Sequence, residues 1–158
     1  MPQLVKGGKY IFGWAVIQSD GRIRIPDEAY DEYHFCKTNA VILLSGSKTS
    51  GGFSAHKPDF LAGAKVGRQI ADVIGYNKGS GLFTSRKLEV IKSGSRLICW
   101  TTLDHKKYIT ISDEWLDLLT MQSSTRLLVG RGSGLGPAFI AKGPIYNEAL
   151  KHNGLPIY

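Results

Sequence analysis

Apolar and polar positions along the first third of this chain fall into short blocks, each closed by turn chemistry. Residues 10–17 are rich in aromatic and β-branched side chains, which suits a strand, and Ser19-Asp20-Gly21 supplies a turn. Arg22-Ile23-Arg24-Ile25 alternates charged with apolar, the mark of a strand buried on one face. Pro26 ends that strand, and Pro26-Asp27-Glu28 opens a short helix, where a missing N–H costs nothing and negative charge meets the helix dipole. Ala29, Tyr30 and Tyr33 share one helical face, and the helix is expected to end near His34. After a turn at Asn39, residues 40–44 form a continuous apolar strand. A glycine-rich run over residues 45–52 follows, and a last strand begins at Phe53.

The same order returns 86 positions later. Residues 5–58 lie over 91–144 without a gap and share 13 identities in 54 positions, among them Trp14 with Trp100, Ile23 with Ile109, Asp27-Glu28 with Asp113-Glu114, and Phe53 with Phe139. Strands are expected at 97–103, 108–111, 127–130 and 139–141, and a helix at 113–119. A helical stretch is expected after each copy, at 60–74 and 146–152. The chain therefore reads as mainly β with short helices, an α+β fold of two tandem ββαββ units: repeat 1 at 5–58, a helical connector at 59–90, repeat 2 at 91–144, and a C-terminal helix and tail at 145–158. Two copies of one unit in a short chain suggest a pseudo-twofold assembly.

Composition adds limits. With 158 residues and 42% apolar content the chain can bury one sizeable core. Its net charge of +7 is spread along both copies and the connector, which suits a polyanionic partner without requiring one. The N-terminal segment lacks the apolar core of a signal peptide and no stretch reaches membrane-spanning length, so a cytoplasmic protein without a membrane partner is the expectation. Cys36 and Cys99 lack metal or disulfide spacing and are expected to be buried small apolar residues. His34, His56, His105 and His152 show no metal-ligand spacing. No catalytic constellation emerges, so no enzyme, metal or cofactor is assigned. Trp14 and Trp100 are read as core, and the paired carboxylates as helix-start residues.

Asp20-Gly21-Arg22-Ile23-Arg24-Ile25-Pro26-Asp27-Glu28, a short helix and Val41-Ile42-Leu43-Leu44 resemble the AbrB/MazE/SpoVT domain, whose signature is Gly-Arg-hydrophobic-x-hydrophobic-Pro-x-Glu. The resemblance fades in the second copy, where Gly-Arg becomes Lys107-Tyr108 and Pro becomes Ser112. It implies an internally duplicated swapped-hairpin β-barrel that binds double-stranded DNA, as a transcriptional regulator or antitoxin-like module. Arg22 holds the family's arginine position, and Arg24, Lys106 and Lys107 join it as candidate DNA contacts. The loss of half the basic signature implies an asymmetric DNA site or a protein that has left DNA behind. The repeated ββαβ order also suits a double-psi barrel, and a homodimer is left open.

The family does not explain the two glycine-rich loops. Gly46, Ser47, Lys48 and Gly51 match a second group of Arg131, Gly132, Ser133 and Gly134. Backbone N–H groups in such turns can form an anion-binding nest, which makes a small anionic ligand or an enzymatic barrel the alternative function. The competing explanation is that the glycines only let a strand bend. A third reading has an exposed tail, Leu155-Pro156-Ile157-Tyr158, engaging a protein partner.

Overall fold

The apolar run at Ala40–Ser45 has no polar face because the protein covers both sides of the strand it forms. A computed structural model describes residues 10–65, 67–132 and 135–158. In it the chain is α+β, mostly strands with a few short helices. The strands are β1 (Ile11–Val16), β2 (Arg22–Arg24), β3 (Ala40–Ser45), β4 (Phe53–His56), β5 (Tyr76–Asn77), β6 (Leu82–Phe83), β7 (Ile91–Ser93), β8 (Arg96–Thr102), β9 (Tyr108–Thr110), β10 (Arg126–Gly130) and β11 (Ala138–Ile140). The helices are α1 (Asp27–Glu32), α2 (Pro58–Gly63), α3 (Gly67–Val73), α4 (Asp113–Leu118) and α5 (Pro144–Ala149), with a 3₁₀ turn at Phe35–Lys37.

Seven strands form one antiparallel sheet in the order β1-β10-β11-β4-β3-β8-β7. Among the described residues, no hydrogen-bonded ring closes it. Strands from distant parts of the chain interlock: β1 pairs with β10, and β3 with β8. Two pairings join residues 86 apart, Phe53 with Phe139 and Ile23 with Ile109. The second belongs to a separate antiparallel ribbon of β2 and β9.

The large sheet lies between two apolar layers. On one face, Val41, Leu43, Leu127 and Val129 pack with Ile23 and Ile109 of the ribbon and with Ala29, Trp115 and Leu116 of α1 and α4. On the other, Ile42, Leu44 and Ile98 meet Leu61 of α2 and Ile74 just after α3, while Ile11, Trp14 and Leu128 meet Ala149 of α5 and Leu155. The helix starts follow their local chemistry. α1 carries Asp27 and Glu28 in its first turn behind Pro26. At the start of α4, 86 positions after Pro26, stands Ser112, whose side-chain oxygen accepts the Trp115 N–H at 3.1 Å and caps the helix.

Several expectations need correction. The helix expected at 60–74 is two helices, and the connector also carries the β5–β6 hairpin. Helix α5 is shifted toward the N-terminus of the expected 146–152 stretch. Cys99 is buried, but Cys36 is exposed. Trp100 is only half-buried; it stacks on Phe83 at 4.3 Å and donates its indole N–H to the Ser85 carbonyl at 2.9 Å. The tail is only partly free: Leu155 is buried, while Pro156 and Ile157 stay exposed. The Trp14 N–H donates to the Pro156 carbonyl at 2.8 Å and the Tyr158 N–H to the Trp14 carbonyl at 2.7 Å, so the C-terminus covers the exposed edge of β1.

Candidate functional site

In an antiparallel pair, side chains alternate between the two faces, so burying Ile23 and Ile109 sends their neighbours outward. The outer face of the β2–β9 ribbon therefore carries Arg22, Arg24, Tyr108 and Thr110, with Arg22 opposite Thr110 and Arg24 opposite Tyr108. The hairpin before β9 adds Lys106 and Lys107. The Asp104 carboxylate shapes this hairpin by accepting the backbone N–H groups of Lys106 and Tyr108, each at 2.9 Å.

Lys107 has φ +77°, a left-handed conformation that costs a side-chain-bearing residue about 1–2 kcal/mol. The residue 86 positions earlier is Gly21, at φ +80°. The chain thus places a lysine where a glycine would fit without strain, and its side chain has a specific destination. The Lys107 ammonium donates to Asp27 Oδ1 at 2.8 Å, and Arg24 Nη2 donates to the same oxygen at 2.7 Å. Arg22 Nε donates to Asp20 Oδ2 at 2.8 Å, and its guanidinium lies 4.7 Å from the centre of the Tyr108 ring. Arg24 faces Tyr158, and Lys107 faces Tyr30.

Electrostatics follow from these pairings. Donation from Lys107, helped by Arg24, holds the Asp27 carboxyl below the usual carboxylate range despite some opposing desolvation. The hydrogen bond from Arg22 does the same for Asp20. The structure thus gathers Arg22, Arg24 and Lys107 on one face, holds them over aromatic rings and partly neutralises them. Lys106 is exposed at the edge of this group.

The two glycine loops meet elsewhere, on either side of a cavity of about 560 Å³. Gly46, Ser47 and Gly51 line it from one loop and Gly132 from the other. The two expected cations do not. Arg131 makes a two-point ion pair with Glu32, at 2.8 and 2.6 Å, beside the Tyr10 ring. Lys48 is exposed and is not among the lining residues, although its neighbour Ser47 is. Ser133 and Gly134 lie outside the described residues. Part of the glycine content has a purely structural cause: Gly52 has φ +61°, and a Cβ there would run into the Phe139 carbonyl.

Among the described lining residues the charged and titratable groups are Arg96, which sequence reasoning did not single out, and His56, which it considered only as a metal ligand. His56 Nε2 shares a 2.7 Å hydrogen bond with Ser54 Oγ, its same-face neighbour on β4. His56 is 3% exposed, and its Nδ1 has no partner with hydrogen-bond geometry. Burial drives its pKa down to about 4, against a smaller opposite pull from the Leu135 backbone. The Ser54-x-His56 spacing was the available signal, since alternate residues of a strand share a face; nothing local marked Arg96.

No known family model matches the chain, and no curated protein matches it. Among the described residues there is no cluster of three or more potential metal ligands. None of their helices is long and apolar enough to cross a membrane.

Proposed function

We propose that the protein binds double-stranded DNA through the outer face of the β2–β9 ribbon, in the manner of an AbrB-type regulator or antitoxin-like module. One observation carries this reading: residues 22–24 and 107, far apart in sequence, bring three cations to one face of a two-stranded ribbon. A ribbon of this kind fits the major groove, where arginine can pair bidentately with guanine or phosphate. Asp20 and Asp27 hold the cationic side chains until phosphates replace them as partners. The two halves of the face differ, with Arg22 and Arg24 matched at an offset of 86 by Tyr108 and Thr110, and this suits an asymmetric site.

The same proposal includes the architecture. The pairings of Ile23 with Ile109 and Phe53 with Phe139 support a pseudo-twofold axis passing through both. The exchange of first and third strands between the halves, in β1–β10 and β3–β8, supports a swapped-hairpin barrel formed within one chain. Free Cys36 and Cys99 fit a reducing, cytoplasmic setting.

The test is a fluorescence anisotropy titration with mixed-sequence duplex at about 50 and 200 mM salt, the range over which phosphate contacts lose most of their affinity. About four phosphate contacts should cost on the order of a hundredfold between the two conditions. Arg22→Ala should weaken binding about tenfold, whereas Asp27→Asn should strengthen it by releasing Arg24 and Lys107. Absence of binding at low salt, or binding indifferent to both substitutions, would sink the proposal. The second reading, a small-ligand site, is favoured by the cavity that both glycine loops line.

A further inference from the structure

We infer that the cavity between the two glycine loops is a binding site for a small organic anion, a molecule with an apolar body and one carboxylate or phosphate head. This site is separate from the ribbon and does not rest on the nucleic-acid reading. At about 560 Å³ the cavity has the volume of typical metabolite sites. Its body is apolar: Leu61 and Ile70 come from the connector, Leu44 from β3, and Leu135 and Phe139 from the second loop and β11. A hydrocarbon or aromatic portion would lie between them and gain by leaving water.

The charge in the lining is one-sided. Arg96 contributes a guanidinium, no aspartate or glutamate is among the described lining residues, and Arg96 takes part in none of the ion pairs found among the described residues. Of the other cations of the two loops, Lys48 is not among the lining residues and Arg131 is committed to Glu32. An anionic head at Arg96 would meet a two-point donor whose geometry suits carboxylate and phosphate alike.

His56 completes the wall of the cavity without reaching into it: its Nε2 is hydrogen-bonded to Ser54, and its Nδ1 is buried against the backbone of Leu135 and Gly136. The ring is neutral at ordinary pH, which leaves the charge of the site to Arg96. Ser47 and Ser50, whose hydroxyls are 2.9 Å apart at the edge of the first loop, offer further polar contacts.

The experiment uses 8-anilinonaphthalene-1-sulfonate, an aromatic monoanion that fluoresces when its rings leave water. It is titrated at neutral pH into the wild-type chain, Arg96→Gln and Ile70→Trp, all first shown to be folded by thermal unfolding. Saturable binding at one site is expected, weakened about tenfold by Arg96→Gln and abolished by Ile70→Trp, which fills the space. Arg22→Ala should leave it unchanged. Phenylphosphate and phenylacetate should displace the probe while neutral 2-phenylethanol does not, and whichever anion displaces better identifies the preferred head. Amide shifts in a ¹H–¹⁵N spectrum should centre on residues 44–56 and 135–140. Unsaturable binding, indifference to both cavity substitutions, equal displacement by the neutral alcohol, or shifts centred elsewhere would each overturn the inference.

Discussion

Lys107 and Asp27 are 80 positions apart, and neither is remarkable within its own segment. Asp27 reads as an ordinary helix-start carboxylate, and Lys107 as a solvated hairpin residue. Their pairing changes what a substitution should do. Lys107→Gly relieves the left-handed strain at φ +77°, while the half-exposed ion pair it removes is worth no more than about 1 kcal/mol. The variant should therefore unfold within about 1 kcal/mol of wild type in urea, yet bind DNA more weakly in the anisotropy titration. Loss of stability by several times that amount would show that the lysine serves the fold. His56 gives a pH-dependent prediction with a definite sign. Its folded pKa lies near 4 and its unfolded value near 6.5, so the unfolded chain binds the extra proton first. The stability contributed by keeping the ring neutral is complete above pH 6.5 and is lost as pH falls toward 4, on the order of 3 kcal/mol over the interval. Urea unfolding at pH 7 and 4.5 should show that loss, and His56→Gln should remove most of it. An equal loss in the variant would assign the acid sensitivity to other groups.

At the scale of elements, the strands and helices of the two similar segments were legible because alternation, apolar runs and Pro-Asp-Glu or Ser-Asp-Glu starts are local signals. The helix break in the connector was legible too, but was missed: Gly63 closes α2 and Gly67 opens α3. A Cβ at Gly67 would collide with the Leu61 carbonyl, so the second glycine permits the close turn between the helices. The docking of the tail was not legible for a different reason. Leu155-Pro156-Ile157-Tyr158 has the composition of an exposed peptide, and only the open edge of β1 turns it into a cover. Removing residues 155–158 should expose that edge and take away the buried Leu155 side chain, costing about 2 kcal/mol by loss of apolar burial and promoting association of the chain. Thermal unfolding and light scattering of the truncated chain check this; unchanged values for both would mean that the tail is dispensable.

For the whole molecule, the pairing of β1 with β10 and of β3 with β8 ties early and late parts of the chain into one sheet. Phe53 and Phe139 stack at 4.8 Å with their planes 13° apart, at the centre of that arrangement. A double-mutant cycle of Phe53→Leu and Phe139→Leu should yield a coupling of about 0.5–1.5 kcal/mol in urea unfolding, the worth of an aromatic pair beyond its burial. A coupling near zero would mean that the two rings fill space independently. The sequence by itself determined the local elements, the apolar positions that must be buried and the 86-residue correspondence between segments, because these depend on neighbours within a few positions or on direct comparison of residues. Only the tertiary structure decided which cations act together, that Arg131 belongs to Glu32 rather than to a glycine loop, and that Arg96 and His56 share a cavity with both loops. Those choices depend on which strand lies beside which. Ion pairs and cavities form between side chains that meet across strand pairings, and no periodicity along the chain records the partner.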